Sequence, residues 1–362
     1  MQITAADTIH LRIPFEDGGA GEGLFPGGFR AVDMVLLRLE TDAGLVGWGE
    51  GFGHFCGEAT AAMLRRCVAP LLLGRDPRAP GALAAELLRA LHLVGRHGPT
   101  VFAVSAADIA LHDLAAKAEG VSLATWLGGA RRTSLPAYAS LVRYGAAPLV
   151  AETAAAAAAE GYGAIKLHEI EVAAIRAGRE GAGDLALTND VNCNWTEART
   201  LELAPKLREI GLTWLEEPVY PPEDHAALAR LRAATGVPVA AGENLCLASA
   251  FADQAAAGAV DYAQPSVTKV GGIAECLAAR RHAAEAGARI AQHSPYFGPG
   301  YLATLHLLAA AESEEWFEYL YVTRAAELYR EMPSPERGRT PVPEGPGLGL
   351  EPDPEVLARH AV

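Results

Sequence analysis

Apolar and polar positions change rhythm twice along this chain. In the first third, "MQITAADTIHLRIPF" and "AVDMVLLRLETDAGLVGWGEGFG" alternate with a period of two, the latter as two runs around a "DAG" turn, and so predict strands. The segments "TAAMLRRCVAPLLLG", "GALAAELLRALHLVG" and "SAADIALHDLAAKAEG" repeat at helical spacing instead. Strands followed by helices describe an α+β domain that ends near "LGGARR" at residues 127–132. Two glycine-rich loops, "EDGGAGEGLFPGGF" and "GFGHFCGE", are expected to be its mobile parts.

From Leu135 onward, short apolar runs alternate with Ala- and Leu-rich helical segments. The strand candidates are "LPAYASL", "AIKLHEI", "LALTNDVN", "TWLEEPV", "VPVAAGEN", "DYAQPSV", "ARIAQHS" and "EWFEYL". Alternating β and α units imply a parallel sheet, and eight in succession imply a barrel of the α/β class.

Composition adds exclusions. The 362 residues suit a large domain with a smaller companion. A net charge of −14 without a basic run speaks against nucleic acid or an anionic membrane surface as partner. The five cysteines form no C-x-x-C pair, which predicts free thiols and not a zinc cage or disulfide framework. With no leader pattern at the amino terminus and no apolar run of membrane length, a cytoplasmic location is expected.

The chemistry gathers at the strand ends. In "GAIKLHEI", Lys166 and His168 lie two positions apart, so a strand presents both on one face. Two potentially cationic groups in an apolar strand are costly unless something anionic meets them. Asp190, Glu216 and Glu243 follow near the ends of the next three units, then Ser266 with Lys269, then His293. The steps between positions 166, 190, 216, 243, 266 and 293 are 24, 26, 27, 23 and 27 residues, one βα unit each. In a barrel these ends converge on one mouth. Three carboxylates without Cys or clustered His make a hard oxygen site suited to Mg²⁺, with Mn²⁺ possible.

The set "DVN", "EEP", "GEN", "TKVGG" and "QHSPYFGPG", with "DAGLVGWGE", "ALHDLAAKAEGVSLATWLGG" and the closing "VPEGPGLGL", resembles the enolase superfamily and, within it, the mandelate racemase-like branch. The resemblance covers essentially the whole chain. It implies a (β/α)₇β modified TIM barrel at residues 131–325, an α+β capping domain at 1–130, and a segment at 326–362 that packs back on the capping domain. It also implies a homo-oligomer, a small carboxylate substrate, and an Mg²⁺ that holds that carboxylate while a base removes the α-proton to give an enediolate; this superfamily is itself a known example of that pairing.

Position by position, the resemblance makes Asp190, Glu216 and Glu243 metal ligands, Glu216 rather than its neighbour Glu217, which the motif points away. It gives Asn192, on the face of Asp190, as a polar contact, Lys269 as the lysine balancing the acids, and Glu318 as an acid donating to the second carboxylate oxygen. Where the branch commonly has Lys-x-Lys, this chain has Lys166-x-His168; Lys166 is expected to act electrostatically and His168 as the base. His293 takes the place of a second acid/base on the opposite face. The branch usually orients that histidine with an Asp, and here Ser266 stands there. Ser140, Ser266, His54 and Phe25 are expected substrate contacts. The expected activity is dehydration of a hydroxy acid or acid sugar; the alternatives are a racemase or epimerase of a hydroxy acid or amino acid derivative, and a non-catalytic carboxylate-binding barrel.

Overall fold

The computed structural model describes residues 1–19 and 28–362; Phe25 and the centre of the first glycine-rich loop lie outside the described residues. Strands β1 (Ile3–Glu16), β2 (Ala31–Thr41) and β3 (Val46–Phe52) form an antiparallel meander, with β2 and β3 joined by the anticipated turn. Helices Pro80–Ala90 and Pro99–Ala118 cover it. In "VGWGEGF" every second residue of β3 is glycine, and a Cβ at Gly49 would meet the Ala106 carbonyl oxygen at 1.9 Å. The glycines therefore let the long helix lie directly on the sheet, while Trp48 and Glu50 occupy the other face.

The barrel strands are β4 (Ser134–Ser140), β5 (Ala164–Leu167), β6 (Ala186–Asp190), β7 (Trp214–Glu216), β8 (Val239–Ala241), β9 (Tyr262–Ala263), β10 (Arg289–Ile290) and β11 (Phe317–Leu320). All pair in parallel, in the order β11-β4-β5-β6-β7-β8-β9-β10. Among the described residues no ladder joins β10 to β11. Ser294 connects them instead: its N–H donates to Glu318 Oε2 at 2.8 Å and its hydroxyl to the Glu318 carbonyl at 3.1 Å. The strands are shorter than the apolar runs suggested, and the polar residues that follow them are loop residues gathered at the carboxyl-terminal mouth.

The "TKVGG" segment is where the long helix of the first domain meets the barrel. Ser105 Oγ accepts from Gly271 N at 2.9 Å, and Asp108 accepts from the N–H groups of Ile273 and Ala274. Asp108 thereby caps the barrel helix Ile273–Glu285, and a Cβ at Gly272 would collide with it at 2.3 Å. These contacts fix the backbone from the second residue after Lys269 onward. The closing segment returns to the first domain: Leu348 N–H donates to Asp113, Lys117 reaches Glu351, and Val362 N–H donates to the carbonyl of His10 on β1.

Glu50 sits in the seam between domains, its Oε2 accepting from Gly300 N at 2.8 Å at the start of helix Pro299–Ala310. Burial drives its carboxyl up to about 8 against the opposing pull of the Gly300 and Gly298 N–H groups. The folded protein holds this proton where the unfolded chain releases it, so stability present below about pH 4.5 should fall as pH rises toward 8. The slope is at most roughly 1.4 kcal/mol per pH unit. Glu50→Gln should flatten this part of the curve, as melting temperatures between pH 5 and 9 would show; an unchanged slope would assign the dependence elsewhere.

All five cysteines are free, and no helix among the described residues is long and apolar enough to cross a membrane.

Candidate active site

Asp190 ends β6, Glu216 ends β7, and Glu243 follows β8 by two residues. Each offers a carboxylate oxygen within 4.8 Å of the others, and none is appreciably exposed. Burial raises Asp190, and it lifts Glu216 to about 8 although Lys166 opposes it. Burial acts on Glu243 in the same sense, but the facing His293, then Lys269 and Lys166, outweigh it and hold the carboxyl well below its ordinary value. Glu243 Oε2 is buried and faces His293 Nε2 at 3.1 Å. Three buried carboxylates crowded within 4.8 Å, two of them resisting ionisation, form the all-oxygen donor set a hard divalent cation fits.

Lys166 lies under this cluster. Its Nζ is 2.5 Å from Glu216 Oε1, 3.3 Å from Asp190 Oδ2 and 3.3 Å from Glu318 Oε1. Burial lowers its affinity for a proton, but these three carboxylates more than offset that and it stays charged. Lys269, expected to balance the acids, does so through its charge on Glu243 and Glu217 and not through a direct ion pair; its Nζ donates to Asn244 Oδ1 at 2.7 Å and lies 4.7 Å over the Phe52 ring. The direct ion pairs thus belong to Lys166, whose side chain rises from within the sheet.

His168 follows the last residue of β5. Its Nδ1 bonds the Leu141 carbonyl, which makes Nδ1 the donor and leaves the Nε2 lone pair open, 3.6 Å from Asp190 Oδ2. Burial, then the charge on Lys166, pulls its pKa down to about 4, so the ring is neutral. His293 Nε2 lies 3.1 Å from Glu243 Oε2 at the other end of the acidic row. Its Nδ1 meets two hydroxyls, Ser266 Oγ at 3.0 Å and Tyr296 OH at 3.2 Å, and these hydroxyls bond each other. An isolated bridge between Ser266 and His293 holds the two loops together.

Tyr296 is the functional candidate that sequence reading missed; its signal was its place three residues after His293 in "HSPYF". Ser266 stands in the place of the orienting Asp and takes that task, its Oγ 3.0 Å from His293 Nδ1; fully buried behind the ring, it does not reach the cavity as the expected substrate contact. Asn192 is in a loop, not on the strand face, because β6 ends at Asp190. A φ of 43° folds it back so that its N–H and Nδ2 donate to the two Asp190 oxygens, while Arg143 donates to its Oδ1. Glu217 does not turn away: it is buried, accepts from Asn244 Nδ2 at 2.7 Å and lines the same cavity, outside the three-acid cluster.

Glu318 is enclosed by donors and cations. Its oxygens accept from Ser140 Oγ at 2.9 Å and Ser294 N. Burial raises the carboxyl, yet Lys166 and His293 outweigh this and lower it overall. In these surroundings the carboxyl serves as an acceptor, its oxygens turned to Ser140 and Ser294.

The cavity above these groups measures about 640 Å³. Ser140, His168, Asn192, Glu243, Lys269, His293 and Glu318 form its polar floor, and Phe29, Phe52, Phe55, Phe102, Val142 and Leu320 much of its wall. His54 is buried in that wall, edge-on to Phe29 and Phe52 and stacked near Tyr296. Its Nδ1 accepts from Asp33 N at 3.3 Å, and burial depresses it to about 4, so it presents a neutral ring.

A capped barrel with three acids at the mouth defines a class, and comparison with known proteins places the chain within it. Residues 149–356 match the enolase C-terminal domain-like family, and residues 27–128 match the mandelate racemase / muconate lactonizing enzyme N-terminal domain. The chain is 33% identical over 381 residues to D-galactarolactone cycloisomerase of Agrobacterium fabrum, covering 99% of this chain and 98% of that one. It is 31% identical over 330 residues to L-talarate/galactarate dehydratase of Salmonella typhimurium, covering 88% and 80%. A racemase from Streptomyces coelicolor A3(2), solved with bound magnesium, superposes with a TM-score of 0.86 at 26% identity, covering 99% and 100%. The chain belongs to the enolase superfamily, in its mandelate racemase/muconate lactonizing branch. It is an enzyme of the lyase or isomerase class.

Proposed function

We propose that this enzyme dehydrates a 2,3-dihydroxy carboxylate by removing the proton next to the carboxylate and expelling the β-hydroxyl as water. The enol that results becomes a 2-oxo acid. Asp190, Glu216 and Glu243 would hold Mg²⁺, which supplies positive charge at the substrate carboxylate. His168 takes the α-proton at Nε2, because its Nδ1 proton is committed to Leu141 and its ring is neutral. Lys166 faces the same region with a fixed positive charge that favours the developing anion. His293 delivers a proton to the departing hydroxyl.

The observation that carries this reading is the unlike support of the two histidines. They stand at opposite ends of the row Asp190–Glu216–Glu243, one bonded to a backbone carbonyl and the other to two hydroxyls. A two-base racemase needs comparable proton abstraction from either face; unequal partners suit a base and an acid.

The wall favours a substrate with an apolar portion beyond the reacting carbons. Asn192 and His54 already spend hydrogen-bonding groups on Asp190, Arg143 and Asp33, and the phenylalanines offer none. Burying a hydroxyl without a partner costs about 1–3 kcal/mol. Assayed with Mg²⁺ for 2-oxo acid formation, 2,3-dihydroxy acids with aryl or branched alkyl tails should exceed C5 and C6 aldonates in kcat/KM. Preference for the aldonates would reverse this assignment of the tail. Phe52→Ala or His54→Ala should change the ranking while leaving Mg²⁺ affinity within a few-fold; an untouched ranking would move selectivity to barrel residues such as Ser140 or Arg143.

A further inference from the structure

Glu216 is held from both sides. Lys166 Nζ lies 2.5 Å from Oε1, and Oε2 accepts from the indole Nε1 of Trp214 at 3.0 Å. Trp214 begins the strand that Glu216 ends, two residues earlier, so both side chains leave the same face of β7. The strand pairs with β6 on one side and β8 on the other, which fixes this geometry.

We infer that Trp214 is a positioning residue that sets the orientation of the Glu216 carboxylate toward the cation site. The inference rests on Glu216 being a metal ligand. An indole is a donor only, with a single N–H in the ring plane, so it defines one direction for the oxygen that meets it. A bond to a carboxylate is charge-assisted, and here it lies in a site without water access to compete. With the ammonium on one oxygen and the indole on the other, the carboxylate plane cannot rotate without losing a bond, and a lone pair on each oxygen is left for a cation.

The indole itself has little freedom. Trp214 is 1% exposed, and its ring lies 4.8 Å from Tyr262, 6.2 Å from Tyr138 and 6.2 Å from Trp316. This aromatic cluster surrounds the opposite end of the barrel from the catalytic mouth. Its packing is thus transmitted through one hydrogen bond to a residue at the mouth. Groups that orient metal ligands in this way typically change metal affinity or activity by roughly 10–100-fold when removed.

The test is Mg²⁺ affinity measured by titration calorimetry on chelator-stripped protein, without substrate. Trp214→Phe should weaken binding by roughly tenfold or more, whereas Trp316→Phe, which disturbs the same cluster but bonds no ligand, should bind as the wild type does. Equal affinity in Trp214→Phe and wild type would overturn the inference, and so would equal losses in the two variants. A wild type that binds no Mg²⁺ would overturn the ligand role of Glu216 first. If Trp214→Phe fails to fold, benzothienylalanine at position 214 keeps the ring volume and removes only the N–H; the same affinity loss at unchanged melting temperature is then expected, and undiminished affinity refutes the role.

Discussion

Removing divalent metal should stop turnover, and Mg²⁺ should restore it. Glu243→Gln should lower kcat/KM by roughly 10³-fold or more, the scale on which groups that stabilise developing charge act. The size of the effect follows from crowding: Asp190, Glu216 and Glu243 are brought together without enough protein cations to neutralise them, and Lys166 alone pairs with two of the three. Deleting one carboxylate also frees His293 from its anionic neighbour at Nε2. Full activity after exhaustive chelation, confirmed by elemental analysis, would remove the metal from the reaction.

The second large effect separates the two histidines. In D₂O with a turned-over substrate, His168→Ala should suppress exchange of the α-proton by roughly 10²–10⁴-fold, the usual contribution of a positioned base. His293→Asn should permit exchange but block loss of the hydroxyl. The asymmetry comes from the Nδ1 partners: Ser266 and Tyr296 orient the ring of His293 but bring no negative charge to Nδ1. If His293→Asn abolishes exchange and His168→Ala preserves it, base and acid are interchanged. Interconversion of enantiomers by the wild type with no 2-oxo product would replace dehydration by racemisation.

The sequence revealed the barrel and its acids for one physical reason. A βα unit repeats at a nearly constant length, so polar residues at the ends of apolar runs in successive units must share a mouth. Asp190, Glu216, Glu243, Lys166 and His168 were legible on that ground. Residues whose position depends on loop geometry were not. Asn192 looked like a strand residue because alternation continues past Asp190, yet its left-handed backbone returns it to that aspartate. Ser266 was legible as the occupant of the orienting position beside His293, but the second hydroxyl there, Tyr296, was not, since it lies 30 positions from Ser266. The 3.3 Å approach of Glu318 to Lys166 was hidden as well, because nothing in the chain order gives that distance. The docking of Ser105 and Asp108 on the "GG" of "TKVGG" was equally hidden, since it joins elements about 165 residues apart. Phe25 lies outside the described residues, so its role as a substrate contact rests on sequence alone.

The central claim is that this mouth removes a proton from the carbon beside a carboxylate. The most direct measurement is proton NMR of a 2,3-dihydroxy carboxylate that the wild type turns over, incubated in D₂O with the His293→Asn variant and Mg²⁺. Loss of the α-proton signal, with the carbon chain and the β-hydroxyl intact, and no such loss when the metal is chelated or when His168 is also replaced by Ala, is the predicted result. A wild-type product from the same compound that still carries the substrate's α-proton would contradict it.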